Sequence, residues 1–111
     1  MEWKKASAEM NIMLEKALET CDCERRTMFG CPAYFVNGNM FAGVFANRVF
    51  LRLSEEDRRE ILETVNEAEP FEPMEGRVMR EYVSLPEPAA VDRSVLDPWI
   101  ERSYRYAREL P

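Results

Sequence analysis

The chain contains no histidine in 111 residues. That removes Ser-His-Asp and Cys-His nucleophile systems, His-containing zinc sites and the usual general base near neutral pH. Chemistry is left to thiols, guanidinium groups, carboxylates and rings. Cys21, Cys23 and Cys31 could offer three thiolates to a metal ion, with Asp22, another side chain or water as the fourth ligand. Structural zinc favours paired C-x₂₋₄-C units, and a C-x-C followed by one distant cysteine fits that pattern poorly. The expectation is small, partly buried thiols at a helix end and a loop, with no metal and no cofactor. A Cys21–Cys23 or Cys23–Cys31 redox pair would require a depressed thiol pKa, which spacing alone does not supply.

Two groups of arginines could meet anions. Arg25 and Arg26 precede Met28-Phe29-Gly30, so their guanidinium groups, with Phe29 and backbone donors of the Gly30 turn, could hold a negatively charged ligand. The simpler reading is a solvated charge pair at a helix C-terminus, where positive charge is favourable. Arg102, Arg105 and Arg108 keep to one side of the last helix and more simply answer its dipole and neighbouring acids. A third pattern interleaves Tyr34, Phe41, Phe45 and Phe50 with Arg48 and Arg52. Rings and arginines are the residues enriched at interface hot spots.

The elements that must position these groups can be read in order. From Glu2 to Thr20, Trp3, Met10, Met13, Leu14 and Leu18 recur at helical spacing, with Ile12 off the stripe. Asn37-Gly38 is the strongest short hairpin signal in the chain, and Ala46-Asn47 makes a second tight turn. Three strands follow: Ala33–Val36, Asn39–Phe45 and Arg48–Leu53. Two-residue turns then pair Phe35 with Met40, Tyr34 with Phe41, Val44 with Val49, Ala42 with Leu51 and Met40 with Leu53. Ser54 caps a second helix through its acidic first turn, and Pro70 ends it. Val78–Leu85 reads as a strand near an edge. Asp97-Pro98 reads as the cap and first residue of a last helix that buries Ile100, Ser103 or Tyr104, Ala107 and Leu110.

Period-two alternation sorts the strands into two faces. One carries Ala33, Phe35, Met40, Ala42, Val44, Val49, Leu51 and Leu53 and must meet the helices. The other carries Tyr34, Val36, Phe41, Phe45 and Phe50 with Arg48 and Arg52, and Gly43 lies opposite Phe50, where a ring can cover it. The fold expected is one α+β domain over residues 1–111, an antiparallel meander with helices on one face, in the order α-β-β-β-α-β-α.

Composition narrows the function. The net charge is −6, and residues 54–69 hold seven acids and two bases, which is −5 of that total. An acidic domain is a poor phosphate-wrapping surface, so direct nucleic-acid binding is not expected. No apolar run approaches the roughly 20 residues of a membrane span, and the first residues do not form a signal peptide. Three cysteines without an export signal suggest reduced thiols in a cytoplasm.

Arg26-Thr27-Met28-Phe29-Gly30, then Tyr34-Phe35-Val36-Asn37-Gly38-Asn39-Met40-Phe41-Ala42 and Leu51-Arg52-Leu53-Ser54, resemble the N-terminal domain of the TfoX/Sxy family. Glu69-Pro70-Phe71, Glu81-Tyr82-Val83 and Trp99-Ile100 extend the likeness to roughly residues 10–110. The resemblance implies a secretion-chaperone-like α+β fold and a role in regulating bacterial competence genes. Full-length regulators of this family carry a further helical domain, so the chain resembles a stand-alone N-domain, to which the fold transfers more firmly than competence regulation. Cys31-Pro32-Ala33 replaces the glycine-rich turn of many members.

The functional expectation is a small, non-catalytic regulatory domain acting through protein contacts, with itself (a homodimer) or another protein as partner. Its interaction surface would be Tyr34, Phe41, Phe45, Arg48, Phe50 and Arg52. The alternative is a small anionic-ligand-binding protein or enzyme, with a pocket near Met28-Phe29-Gly30 served by Arg25, Arg26 or Arg52.

Overall fold

Two tight turns set the sheet. Asn37 at φ 52° and Gly38 at φ 80° both occupy the left-handed region that a type I′ turn demands. They join the strands Cys31–Val36 and Asn39–Phe45, and Ala46, at φ 55°, opens the next turn into Arg48–Arg52. The computed structural model describes residues 8–28 and 31–111.

In chain order the elements are α1 (Ala8–Ala17), β1 (Glu24–Met28), β2 (Cys31–Val36), β3 (Asn39–Phe45), β4 (Arg48–Arg52) and α2 (Glu55–Thr64). They continue with β5 (Glu69–Pro70), β6 (Tyr82–Leu85), α3 (Glu87–Ala90) and α4 (Arg93–Arg108). The strands form one antiparallel sheet in the order β1-β2-β3-β4-β6-β5. Met10 and Leu14 of α1, Ile61 of α2, Ala90 of α3 and Leu96, Trp99, Ile100 and Ala107 of α4 all join one core against the same sheet face. The expected α+β layering is therefore present, with three elements added to the expected order. Trp3, expected on the first helix, lies outside the described residues, whereas Ile12 is exposed as its position off the stripe required.

β1 was not expected as a strand. Glu24, Arg25, Arg26 and Thr27 are all exposed, so the segment buries no alternating face from which a strand could be read. The residues around Arg25 thus form a sheet edge instead of a helix end. α4 also begins earlier than Asp97: Asp92 is its N-cap, accepting from Ser94 N at 3.0 Å, and Pro98 lies inside the helix. Asp97 instead pairs with Arg93 one turn back, at 2.7 Å. Ser54 caps α2 as read, its Oγ accepting from Asp57 N at 3.2 Å.

The decisive departure is a bulge in β3. Phe35 pairs with Met40 as expected, but Tyr34 pairs with Ala42, leaving Phe41 as the extra residue. One inserted residue reverses which side chains face which layer. Tyr34, Val36 and Phe41 therefore enter the helix-side core together with Ala42, Val44, Val49, Leu51 and Leu53. Ala33 and Met40 move to the reverse face with Phe45 and Phe50, and Phe35 packs against them there. Beyond the bulge the expected pairs Ala42–Leu51 and Val44–Val49 form, and the Met40–Leu53 pair falls outside the ladder.

Candidate functional site

The reverse face of the sheet would leave rings in water if nothing covered it, and most of it is covered. Phe50 is 1% exposed. Its cover is the irregular connection between β5 and β6. Phe71 lies flat on Phe50, with ring centroids 4.5 Å and planes 9° apart, and meets Phe45 edge-on at 5.6 Å. Tyr82 approaches Phe50 edge-on at 6.0 Å, and its hydroxyl donates to the Met40 carbonyl at 2.9 Å. Backbone bonds from Phe71 N to Tyr82 O (3.0 Å) and from Met79 N to Phe71 O (2.9 Å) hold this flap.

The six residues expected to share one surface are thus divided. Tyr34 and Phe41 lie beneath the helices, Phe41 edge-on to Tyr104 at 5.4 Å, and the sheet separates them from Phe45 and Phe50. Arg48 and Arg52 stay half-buried beside the reverse face and fasten it. Arg48 Nε donates to Ser84 Oγ at 2.9 Å and its Nη2 to the Glu67 carbonyl at 2.8 Å. Arg52 Nε donates to Glu81 Oε1 at 2.7 Å. The open remnant lies at the β1 side, where Phe35 is half-buried beneath the Arg26 guanidinium, 4.7 Å from its ring. Glu24 holds Arg26 there at 2.8 Å.

The anion site expected around Arg25, Arg26, Phe29 and Gly30 does not assemble from its two arginines. Successive strand residues point to opposite faces, so Arg26 covers Phe35 while Arg25 stands on the Tyr34 side. Phe29 and Gly30 lie outside the described residues. Arg52 is three strand spacings from Arg25, about 14 Å across the sheet.

Arg52 belongs to a different constellation. With Arg58 of α2 and Met79, Arg80, Glu81 and Tyr82 it lines an open groove of about 470 Å³. Burial on its own would raise the Glu81 carboxyl, but the Arg52 hydrogen bond and charge, aided by Tyr106, hold it below its ordinary value. The Tyr106 hydroxyl donates to Glu81 Oε2 at 3.2 Å, and Arg58 Nη1 donates to the Leu53 carbonyl. Arg58 and Arg80 carry no local sequence signal, because a turn, a helix and the flap separate the three arginines along the chain.

Cys21 and Cys23 are free thiols, and Cys31 is buried. Burial pushes the Cys21 thiol up, and Asp97 and Glu101 add to the shift; burial does the same to Cys23, with Cys21 and Asp22 adding. Neither thiol is poised as a nucleophile. Among the described residues no cluster of three or more Cys, Asp or Glu side chains could hold a metal ion, and no helix is long and apolar enough to cross a membrane.

No curated protein and no solved structure matches the chain. The sequence model of the TfoX N-terminal domain matches it over residues 17–107, from the end of α1 to the last turn of α4, and so takes in the whole sheet. The chain accordingly belongs to the TfoX N-terminal domain family, a family of regulatory domains.

Proposed function

We propose that this chain is a non-catalytic regulatory domain acting through protein–protein contact along β1, with a second copy of itself as the partner. The observation that carries this reading is the contrast between the two sheet edges. β5 is two residues long and ends in Pro70, which has no N–H to offer. β1 runs five residues in unbroken register with β2, contains no proline, and exposes Glu24, Arg25, Arg26 and Thr27. Such an edge supplies a row of backbone groups to an added strand.

Charge favours a second copy. In a two-fold antiparallel pair centred on Arg25, each Glu24 stands opposite the other copy's Arg26, which sets two opposite-charge pairs on one face against a single Arg25–Arg25 pair on the other, and opposite charges directly across a pair are stabilising. The same charges discourage an uncharged strand from adding there. The family's implied role, regulation of competence genes in the bacterial cytoplasm, is the setting in which such a contact acts. Sedimentation equilibrium over a wide concentration range tests the reading. A dimer is expected for the natural chain, monomers for Glu24→Arg and for Arg26→Glu, and a restored dimer when the two variants are mixed. A monomer at every concentration, or variants that dimerise like the natural chain, would overturn it.

A further inference from the structure

The molecule carries −6 overall, yet the groove beside β6 gathers Arg52, Arg58 and Arg80 around one carboxylate, Glu81. Both oxygens of that carboxylate are engaged. Arg52 meets Oε1 through Nε at 2.7 Å and Nη2 at 2.6 Å, and Tyr106 meets Oε2 at 3.2 Å. Glu81 therefore bonds to Arg52, and Arg58 acts on it only at longer range, through charge. Among the described residues no carboxylate forms an ion pair with Arg58 or Arg80. Arg102, nearby on α4, shows the contrast: it is paired with Asp57 at 3.4 Å and Glu60 at 2.9 Å.

Arg58 is half-buried, so its charge is partly withdrawn from water with no carboxylate in ion-pair contact, and an anion beside it would offset that cost. Its Nη1 is committed to the Leu53 carbonyl, which fixes the direction of the guanidinium plane. Arg80 reaches the same groove from the flap. Met79 and Tyr82, both half-buried, give the groove an apolar wall, and Arg52 sits 5.7 Å from the Tyr82 ring centroid.

We propose that this groove binds a small phosphomonoester carrying an apolar group. The dianion lies between Arg58 and Arg80, and the apolar group rests on Met79 and Tyr82. A phosphomonoester matches two guanidinium groups without an ion-pair contact, since it carries about −1.5 to −2 at neutral pH and its oxygens suit their planar donors. A monocarboxylate would leave one cation unanswered. The ligand joins α2 to the flap, so it closes the groove without touching β1, and the site stands or falls independently of the strand-pairing interface.

The test is an NMR titration of the arginine Nε–Hε signals with phenyl phosphate, using inorganic phosphate and benzoate as comparisons. Saturable shifts confined to the Arg52, Arg58 and Arg80 signals are expected, with phenyl phosphate binding at least tenfold tighter than benzoate and tighter than inorganic phosphate. Arg80→Gln, at an exposed position, is expected to weaken binding on the order of tenfold while leaving the ligand-free melting temperature unchanged. Arg58→Gln should weaken it similarly, and its folded state is checked by the same melting curve. Non-saturable drift shared by all three compounds would overturn the proposal, as would unchanged affinity in Arg80→Gln. Equal affinity for phenyl phosphate and inorganic phosphate would remove the apolar wall from the site.

Discussion

The ring of Phe50 is stacked on that of Phe71, 4.5 Å between centroids and 9° from parallel, although 20 residues of chain, including all of α2, separate them. This pair makes an aromatic sheet face into a second small core. The first core needs the helices; the second needs only the flap after β5, with Phe45, Met40 and Ala33 completing it. The closure leaves the sheet's accessible chemistry at its rims: β1 on one side and the arginine groove on the other.

Gly43 fixes how closely that second core can pack. A Cβ built at Gly43 would sit 2.2 Å from Phe50 Cζ and 2.6 Å from Cε2, and the ring cannot retreat because Phe71 lies against its other side. Gly43→Ala is therefore expected to destabilise the domain by about 1–3 kcal/mol, the range for overpacking a filled core. Urea unfolding monitored by circular dichroism checks this. A loss within a few tenths of a kcal/mol of zero would show that the Phe50–Phe71 stack yields freely.

The legible parts of the fold were those where a residue type serves only one geometry. Asn37-Gly38 tolerates positive φ at both positions, Ser54 before three acids makes a cap, and Gly43 across from Phe50 marks a ring-covered glycine. The bulge was illegible because residues 33–36 are all apolar, so alternation carries no contrast between Tyr34 and Phe35. β1 was hidden by the opposite condition, a strand with no buried face. Phe71 sits in a Pro-bearing connection with no periodicity, so nothing local announces it as a lid. The groove escaped notice because Arg52, Arg58 and Arg80 meet only through tertiary structure.

Two aspartates compete as the start of the last helix, and mutation separates them. Asp92 accepts from the Ser94 backbone N–H at 3.0 Å and its hydroxyl too, and its carboxyl is held below its ordinary value by those Ser94 bonds. Asp92→Ala is expected to lower the melting temperature clearly, as loss of an N-cap does. Asp97→Ala removes only a half-exposed pair with Arg93 and is expected to lower it far less. Thermal unfolding of the two variants decides it, and a larger loss at Asp97 would contradict the observed cap.

The thiols should be sluggish. Raised Cys21 and Cys23 values mean less thiolate near neutral pH than a free cysteine carries, and Cys31 is only 2% exposed. Iodoacetamide labelling followed by mass spectrometry at pH 7.5 is expected to modify Cys21 and Cys23 more slowly than glutathione, and Cys31 last. Labelling of either of the first two faster than glutathione would indicate an activated thiol and revive a redox role.

Glu81 gives the fold a distinct acid response. Its carboxyl lies below the ordinary glutamate value of 4.5 in the folded chain, despite burial, because Arg52 and Tyr106 favour the charged form. A group whose pKa is depressed on folding binds fewer protons folded than unfolded, so its contribution is present above pH 4.5 and disappears as pH falls through the lower folded value. Relative to the natural chain, Glu81→Gln should lose stability at pH 7 and lose progressively less as pH drops below 4.5, so the two unfolding curves converge under acid. Urea midpoints measured across pH 3 to 7 provide the check. Parallel curves throughout would mean that the Arg52–Glu81 bridge does not hold this carboxyl below its ordinary value.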